Sequence, residues 1–95
     1  MTEDISAVRA VVRGRVQGVG FRDHVEHRAR FLRLTGYVRN LEDHRSVEVI
    51  AEGPRNALKQ LIEHLHHGPS MSRVDAVDIE WRAPTGEHRD FRTLF

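Results

Sequence analysis

Apolar residues recur in this chain at two periods, and the order in which those periods alternate leaves room for few architectures. Ala7–Arg13 (AVRAVVR) sets Val8, Ala10 and Val12 against Arg9, Val11 and Arg13, the two-residue period of a strand. Phe21, Val25, Ala29 and Leu32 then return at helical spacing with Asp23, Glu26, Arg28 and Arg30 between them, which predicts a helix over about 21–33. Thr35–Leu41 and Ser46–Glu52 read as two strands, and the polar link Glu42-Asp43-His44-Arg45 joins them as a hairpin. Gly53-Pro54 opens a second helix, with the proline in a tolerated first-turn position. Leu58, Leu61, Ile62 and Leu65 form its apolar stripe, and Gly68-Pro69 ends it. Val74–Trp81 alternates through Val77, Ile79 and Trp81, while Val74 and Ala76 fall on the opposite parity, so a bulge is expected near Ala76. Phe91, Thr93 and Phe95 predict a last short strand.

The order is therefore β-α-β-β-α-β with an added C-terminal strand. That is an α+β class, the ferredoxin-like split βαβ plan: an antiparallel sheet with two helices on one face. Ninety-five residues suit one domain over 1–95, with residues 1–6 read as a flexible N-terminal tail. The fold carries many functions, so function has to be sought in local chemistry.

Composition narrows the classes. No apolar run approaches the roughly 18–20 residues a membrane span needs, and the opening MTEDISAVRA has no apolar signal-like core. The absence of cysteine removes disulfides, thiolate metal sites and cysteine nucleophiles together, which makes the cytoplasm the default compartment. Fourteen arginines and one lysine face fourteen acids for a net charge of +1, and the arginines are interleaved with the acids rather than gathered on one stretch. A nucleic-acid partner is therefore not expected, and a monomer is the default for a chain of this size and balance. An RNA-binding use of the same plan would want exposed aromatics on the central strands, and SVEVIAE has none.

The junction between the first strand and first helix is GRVQGVGFR, Gly14 to Arg22. Glycines there admit positive φ and let backbone approach a ligand, and inward amides with the free N–H groups of the following helix make a nest for an anion. Arg22, in the first helical turn, has a fork that can take two oxygens of the same anion. The bland alternative is a glycine turn with a surface arginine. A Walker A loop is excluded because no lysine and hydroxyl follow the glycines, and the dinucleotide fingerprint fails because Asp23 stands where the third glycine belongs.

GRVQGVGFR, followed by Gly36-Tyr37-Val38-Arg39-Asn40, resembles the acylphosphatase family, and the likeness runs from about Ala7 to Phe95. The resemblance implies hydrolysis of acyl phosphates to carboxylate and inorganic phosphate, without metal, cofactor or phosphoenzyme. It implies that the amides of Gln17, Gly18, Val19, Gly20, Phe21 and Arg22, with the Arg22 side chain, bind the phosphoryl group, and that Asn40 orients the attacking water. Such chemistry needs mainly in-line positioning and stabilisation of charge on the transferred oxygens. A neutral amide suits the water site, since a carboxylate there would repel the phosphate. The alternative is a module that binds phosphate or carbamoyl phosphate without turnover. Two positions depart from common family choices: His44 stands where glycine is frequent after aspartate, and Leu41 where a hydroxyl residue sometimes sits. The identity of the acyl group is not legible.

Other constellations read as structural. His24 and His27 form an i,i+3 pair and His64, His66 and His67 cluster at the end of the second helix, but no further ligand converges in sequence, and no metal site is expected. Phe21, Trp81, Phe91 and Phe95 are expected in the core, with Phe21 anchoring the loop. Asp23 and Asp43 suit helix-start and turn positions.

Overall fold

A computed structural model describes residues 4–95. Five strands and two helices follow in the order β1 (Ile5–Arg15), α1 (Phe21–Phe31), β2 (Thr35–Asn40), β3 (Ser46–Pro54), α2 (Arg55–His67), β4 (Arg73–Arg82) and β5 (Phe91–Leu94). The sheet order is β4-β1-β3-β2-β5. The first four strands pair antiparallel, as the split βαβ plan requires, but β5 pairs parallel with β2, so the sheet is mixed. The reason is geometric: β4 runs opposite to β1, and the chain then crosses to the far edge and turns back, so β5 must point the same way as β2.

Val8, Ala10 and Val12 of β1, Val38 of β2 and Val47, Val49 and Ala51 of β3 turn to one face and meet Phe21, Val25 and Ala29 of α1 and Leu58, Leu61 and Leu65 of α2. All are essentially sealed from solvent. Truncating one of these, such as Leu61→Ala, carries the usual core penalty of about 2–5 kcal/mol. The opposite sheet face is polar and stitched by charge. Glu48 on β3, only 4% exposed, accepts from Arg9 Nε of β1 at 2.7 Å and Arg39 Nε of β2 at 2.6 Å, so one carboxylate ties three strands. Glu52, four residues on, accepts from the amides of Thr85 and Gly86 and from Thr85 Oγ1, which pins the segment crossing from β4 to β5.

The boundaries differ from the sequence reading in instructive places. β1 starts at Ile5, and Ile5 and Ser6 pair with Pro54 and Gly53, so the expected tail is shorter; residues 1–3 of that tail lie outside the described residues. Helix α1 stops at Phe31 because the chain turns into a left-handed residue, Arg33 (φ +59°). The Leu34 amide donates to Ala29 O at 2.9 Å and the Arg33 amide to Arg30 O at 3.0 Å, the paired bonds of a Schellman closure with arginine where glycine is usual. Pro54 is the residue before α2 rather than its first turn, with φ −58° and ψ 135°, and is still paired in β3. The register of β1 against β4 slips between Arg13 and Gly14, whose partners are Ala76 and Val74. The bulge thus falls on Asp75, next to the expected position. Phe95 is the one aromatic misplaced by the sequence reading: it lies beyond β5 and is fully exposed, whereas Phe21 and Phe91 are buried and Trp81 is half-buried.

Candidate active site

Strand directions bring the sequence-predicted residues to one end of the sheet. β1, β2 and β5 run the same way, so Arg15, Asn40 and Leu94 all finish at that end, where α1 begins. The loop 16–20 leaves β1 there. Val16 and Phe21 are each 1% exposed and Val19 packs against the core, so apolar pegs seat the loop at three points. Gly18 (φ +73°) and Gly20 (φ +81°) between them lie in the left-handed region and are exposed; a Cβ at either would meet no atom within 4 Å, so conformation and not space is what demands glycine.

Gly20 is also the N-cap of α1 and brings no capping side chain. Among the described residues, the amides of Gln17 to Arg22 donate to no protein acceptor. These donors, with the positive end of the helix dipole, make a seat for an oxyanion. Arg22 is half-buried beside it. Its Nη1 donates to Leu94 O at 3.0 Å and its guanidinium carbon sits 4.8 Å from the centre of the Phe95 ring. Loop, arginine and Phe95 border an open cavity of about 380 Å³ that is lined by Val16, Gly18, Gly20, Arg22, Thr93 and Phe95 and also by the acidic residues Asp23 and Glu26. Phe95 thus lines this cavity instead of entering the core, where its alternation with Phe91 and Thr93 had placed it.

Asn40 ends β2 opposite Val47 of β3. Its Oδ1 is buried and has no hydrogen-bond partner among the described residues. A buried polar atom left free in this way is uncommon in folded proteins and calls for a reason. The Leu41 position supplies no side-chain hydroxyl to satisfy it. The following hairpin is held by Asp43, whose Oδ1 accepts from the Arg45 amide at 2.9 Å and whose Oδ2 accepts from Ser46 Oγ at 2.6 Å. The Ser46 hydroxyl and the Arg45 amide hold the Asp43 carboxyl below its ordinary range. His44 takes the left-handed turn position (φ +63°), where glycine would carry no strain.

The Gln17 side chain, expected only to contribute its amide, does something more specific. Its Nε2 donates to Leu41 O and to Ser46 O, both at 2.9 Å. The histidines also pair differently from their sequence spacing: His24 of α1 meets His64 of α2 edge to face, with ring centres 6.3 Å apart. Burial first, then the charges of Arg28 and neighbouring histidines, hold both rings below the ordinary histidine value. Among the described residues no group of three or more His, Asp or Glu has the arrangement of a metal site.

A ferredoxin-like domain whose first loop can seat a tetrahedral oxyanion beside one arginine, with an uncommitted carboxamide at the neighbouring strand end, defines a class of small phosphate-handling proteins. The comparisons give that class a family. The family model described as acylphosphatase matches residues 8–93. The chain is 44% identical over 92 residues to the acylphosphatase of Roseiflexus sp. (strain RS-1), covering 97% of this chain and 98% of that one. It is 52% identical over 92 residues to the acylphosphatase of Koribacter versatilis, covering 97% and 83%. The crystal structure of acylphosphatase from Bacillus subtilis superposes with a TM-score of 0.90 at 37% identity, over 95% of this chain and 99% of that one. Full-length HypF in its phosphate- and nucleotide-bound form also matches, with a TM-score of 0.86 at 26% identity, over the whole of this chain but 12% of HypF. The chain belongs to the acylphosphatase family.

Proposed function

We propose that the chain hydrolyses the carboxyl–phosphate bond of acyl phosphates by a division of labour between Arg22 and Asn40. The amides of Gln17–Arg22 and the Arg22 fork hold the phosphoryl oxygens, and Asn40 holds the water in line with the leaving carboxylate. The water oxygen bonds to phosphorus as the phosphorus–acyl oxygen bond breaks. The water proton passes to a phosphoryl oxygen, and the products are a carboxylate and inorganic phosphate. A carboxylate is a good leaving group, so no strong base is needed, and preorganised donors around the phosphoryl group carry most of the stabilisation. Neither a metal nor a phosphoenzyme takes part in this scheme.

The observation that carries the reading is the free, buried Oδ1 of Asn40 at the same sheet end as the amide seat. It also favours turnover over a binding-only module, because gripping phosphate alone gives no use for a polar atom kept unpaired. We place the enzyme in the cytoplasm as a monomer acting on a small acyl phosphate, with no nucleic-acid or membrane partner. The zero cysteine content and interleaved charge support that placement. Among the described residues no helix is long and apolar enough to cross a membrane.

Benzoyl phosphate hydrolysis in the presence of chelator tests the scheme. Turnover above background is expected, and its absence would leave only the binding module. Asn40→Ala is expected to lower kcat while sparing inhibition by inorganic phosphate. Arg22→Ala is expected to weaken both, with about 2–4 kcal/mol of transition-state stabilisation lost. Equal loss of phosphate affinity in the two variants would refute the division of roles.

A further inference from the structure

We propose that Gln17 is a positioning residue for the reaction, acting through its side chain to set Asn40 against the phosphate loop; this rests on the catalytic roles proposed above. The need for such a residue follows from the strand order. β1, which launches the loop, and β2, which ends in Asn40, are not neighbours: β3 lies between them. The backbone ladder therefore fixes the loop relative to Asn40 only through a third strand. Gln17 spans the gap. Its single Nε2 reaches Leu41 O, the carbonyl directly after Asn40, and Ser46 O, the carbonyl that also receives the Leu41 amide at 2.9 Å. Among the described residues, no other hydrogen bond runs from residues 16–20 to residues 40–46.

The geometry separates the loop's tasks residue by residue. Val16, Val19 and Phe21 seat it in the core, Gly18 and Gly20 give it its left-handed turns, and the Gln17 amide group faces the hairpin. On the other flank of Asn40, β5 pairs Leu94 with Arg39, and Leu94 O receives Arg22. Asn40 is thus bracketed by two loop side chains, Gln17 on the hairpin side and Arg22 on the β5 side. Arg22 would remain on the phosphate and on Leu94 O without Gln17, whereas the hairpin side of Asn40 would lose its direct tie to residues 16–20.

The prediction is a split between rate and grip. Gln17→Met keeps the length and packing and removes both donors. A displacement of the order of 1 Å in a reacting group can lower rates by roughly a hundredfold, so kcat on benzoyl phosphate is expected to fall about 10- to 100-fold. The inhibition constant of inorganic phosphate should stay within about twofold, since the amides and Arg22 that grip it are intact. In an Asn40→Ala background, Gln17→Met should lower kcat hardly further, because its effect passes through Asn40. Gln17→Asn, one methylene short of the two carbonyls, is a milder second variant expected to move kcat the same way. An active wild type with unchanged kcat in Gln17→Met or Gln17→Asn would overturn the inference and leave the acylphosphatase reading standing. So would a parallel loss of phosphate affinity, or full additivity with Asn40→Ala. An inactive wild type would instead overturn the catalytic reading on which the inference rests.

Discussion

Glu48 allows a sharp test of how the sheet is held, because the charges of its ion triad are buried unequally. Its side chain is 6% exposed, against 34% for Arg9 and 48% for Arg39. Burial works to raise the Glu48 carboxyl, but the hydrogen bonds and charges of Arg39 and Arg9 outweigh it and hold the group below its ordinary range. Removing the carboxylate by Glu48→Leu leaves two guanidiniums that can turn to water, and the expected loss is about 1–3 kcal/mol, the scale of a charged hydrogen-bond set. Removing both cations by Arg9→Met with Arg39→Met keeps the apolar cover and strands a buried carboxylate, for which about 3–5 kcal/mol is expected. At roughly 4–8 °C per kcal/mol for a domain of this size, that corresponds to a Tm drop of about 12–40 °C. Adding Glu48→Leu to the double variant should restore most of the loss. Urea unfolding at pH 7 measures all four chains. The sign with pH is also fixed: a carboxyl depressed in the folded state stabilises above its unfolded value and loses that contribution as pH falls through the folded one. The triad's contribution should therefore fade only in acid. If the double methionine variant is no less stable than Glu48→Leu, unequal burial is not what governs the triad.

Arg33→Gly should stabilise the chain by about 0.5–1 kcal/mol, the left-handed strain relieved less the backbone entropy that glycine adds; thermal unfolding beside an Arg33→Ala control checks it, and equal behaviour of the two would discount the strain at φ +59°. His24 and His64 are both depressed in the folded state, so their neutral forms stabilise it above the ordinary value of 6.5, and stability should decline as pH falls below that. His64→Gln should flatten this part of a urea-midpoint profile, and an unchanged slope would show that the pair does not matter. Gly20→Val, which places a β-branched residue at φ +81°, should weaken phosphate inhibition and stability together, and retained affinity would argue against the loop's geometry as the source of the grip.

Much of the site was legible because its parts are local. GRVQGVGFR shows which amides and which arginine can meet an anion, since a glycine loop and the helix start after it form within a few residues of one another. The Glu48 triad, the His24–His64 pair and the Gln17 ties were not legible. Each joins residues from different elements, whose register depends on the whole sheet. Phe95 was misread for a related reason: alternation identifies a strand's two faces but does not tell where pairing stops.

The sequence by itself determined the element order, the face each strand buries and the chemistry on offer at the first loop, because periodicity and backbone permissiveness are properties of neighbouring residues. Tertiary structure alone decided that the ends of β1, β2 and β5 share one end of the sheet, and that β3 separates the loop from Asn40. It also decided that Asn40 Oδ1 is left without a partner. Those facts depend on strand direction, register and burial, which no local stretch encodes.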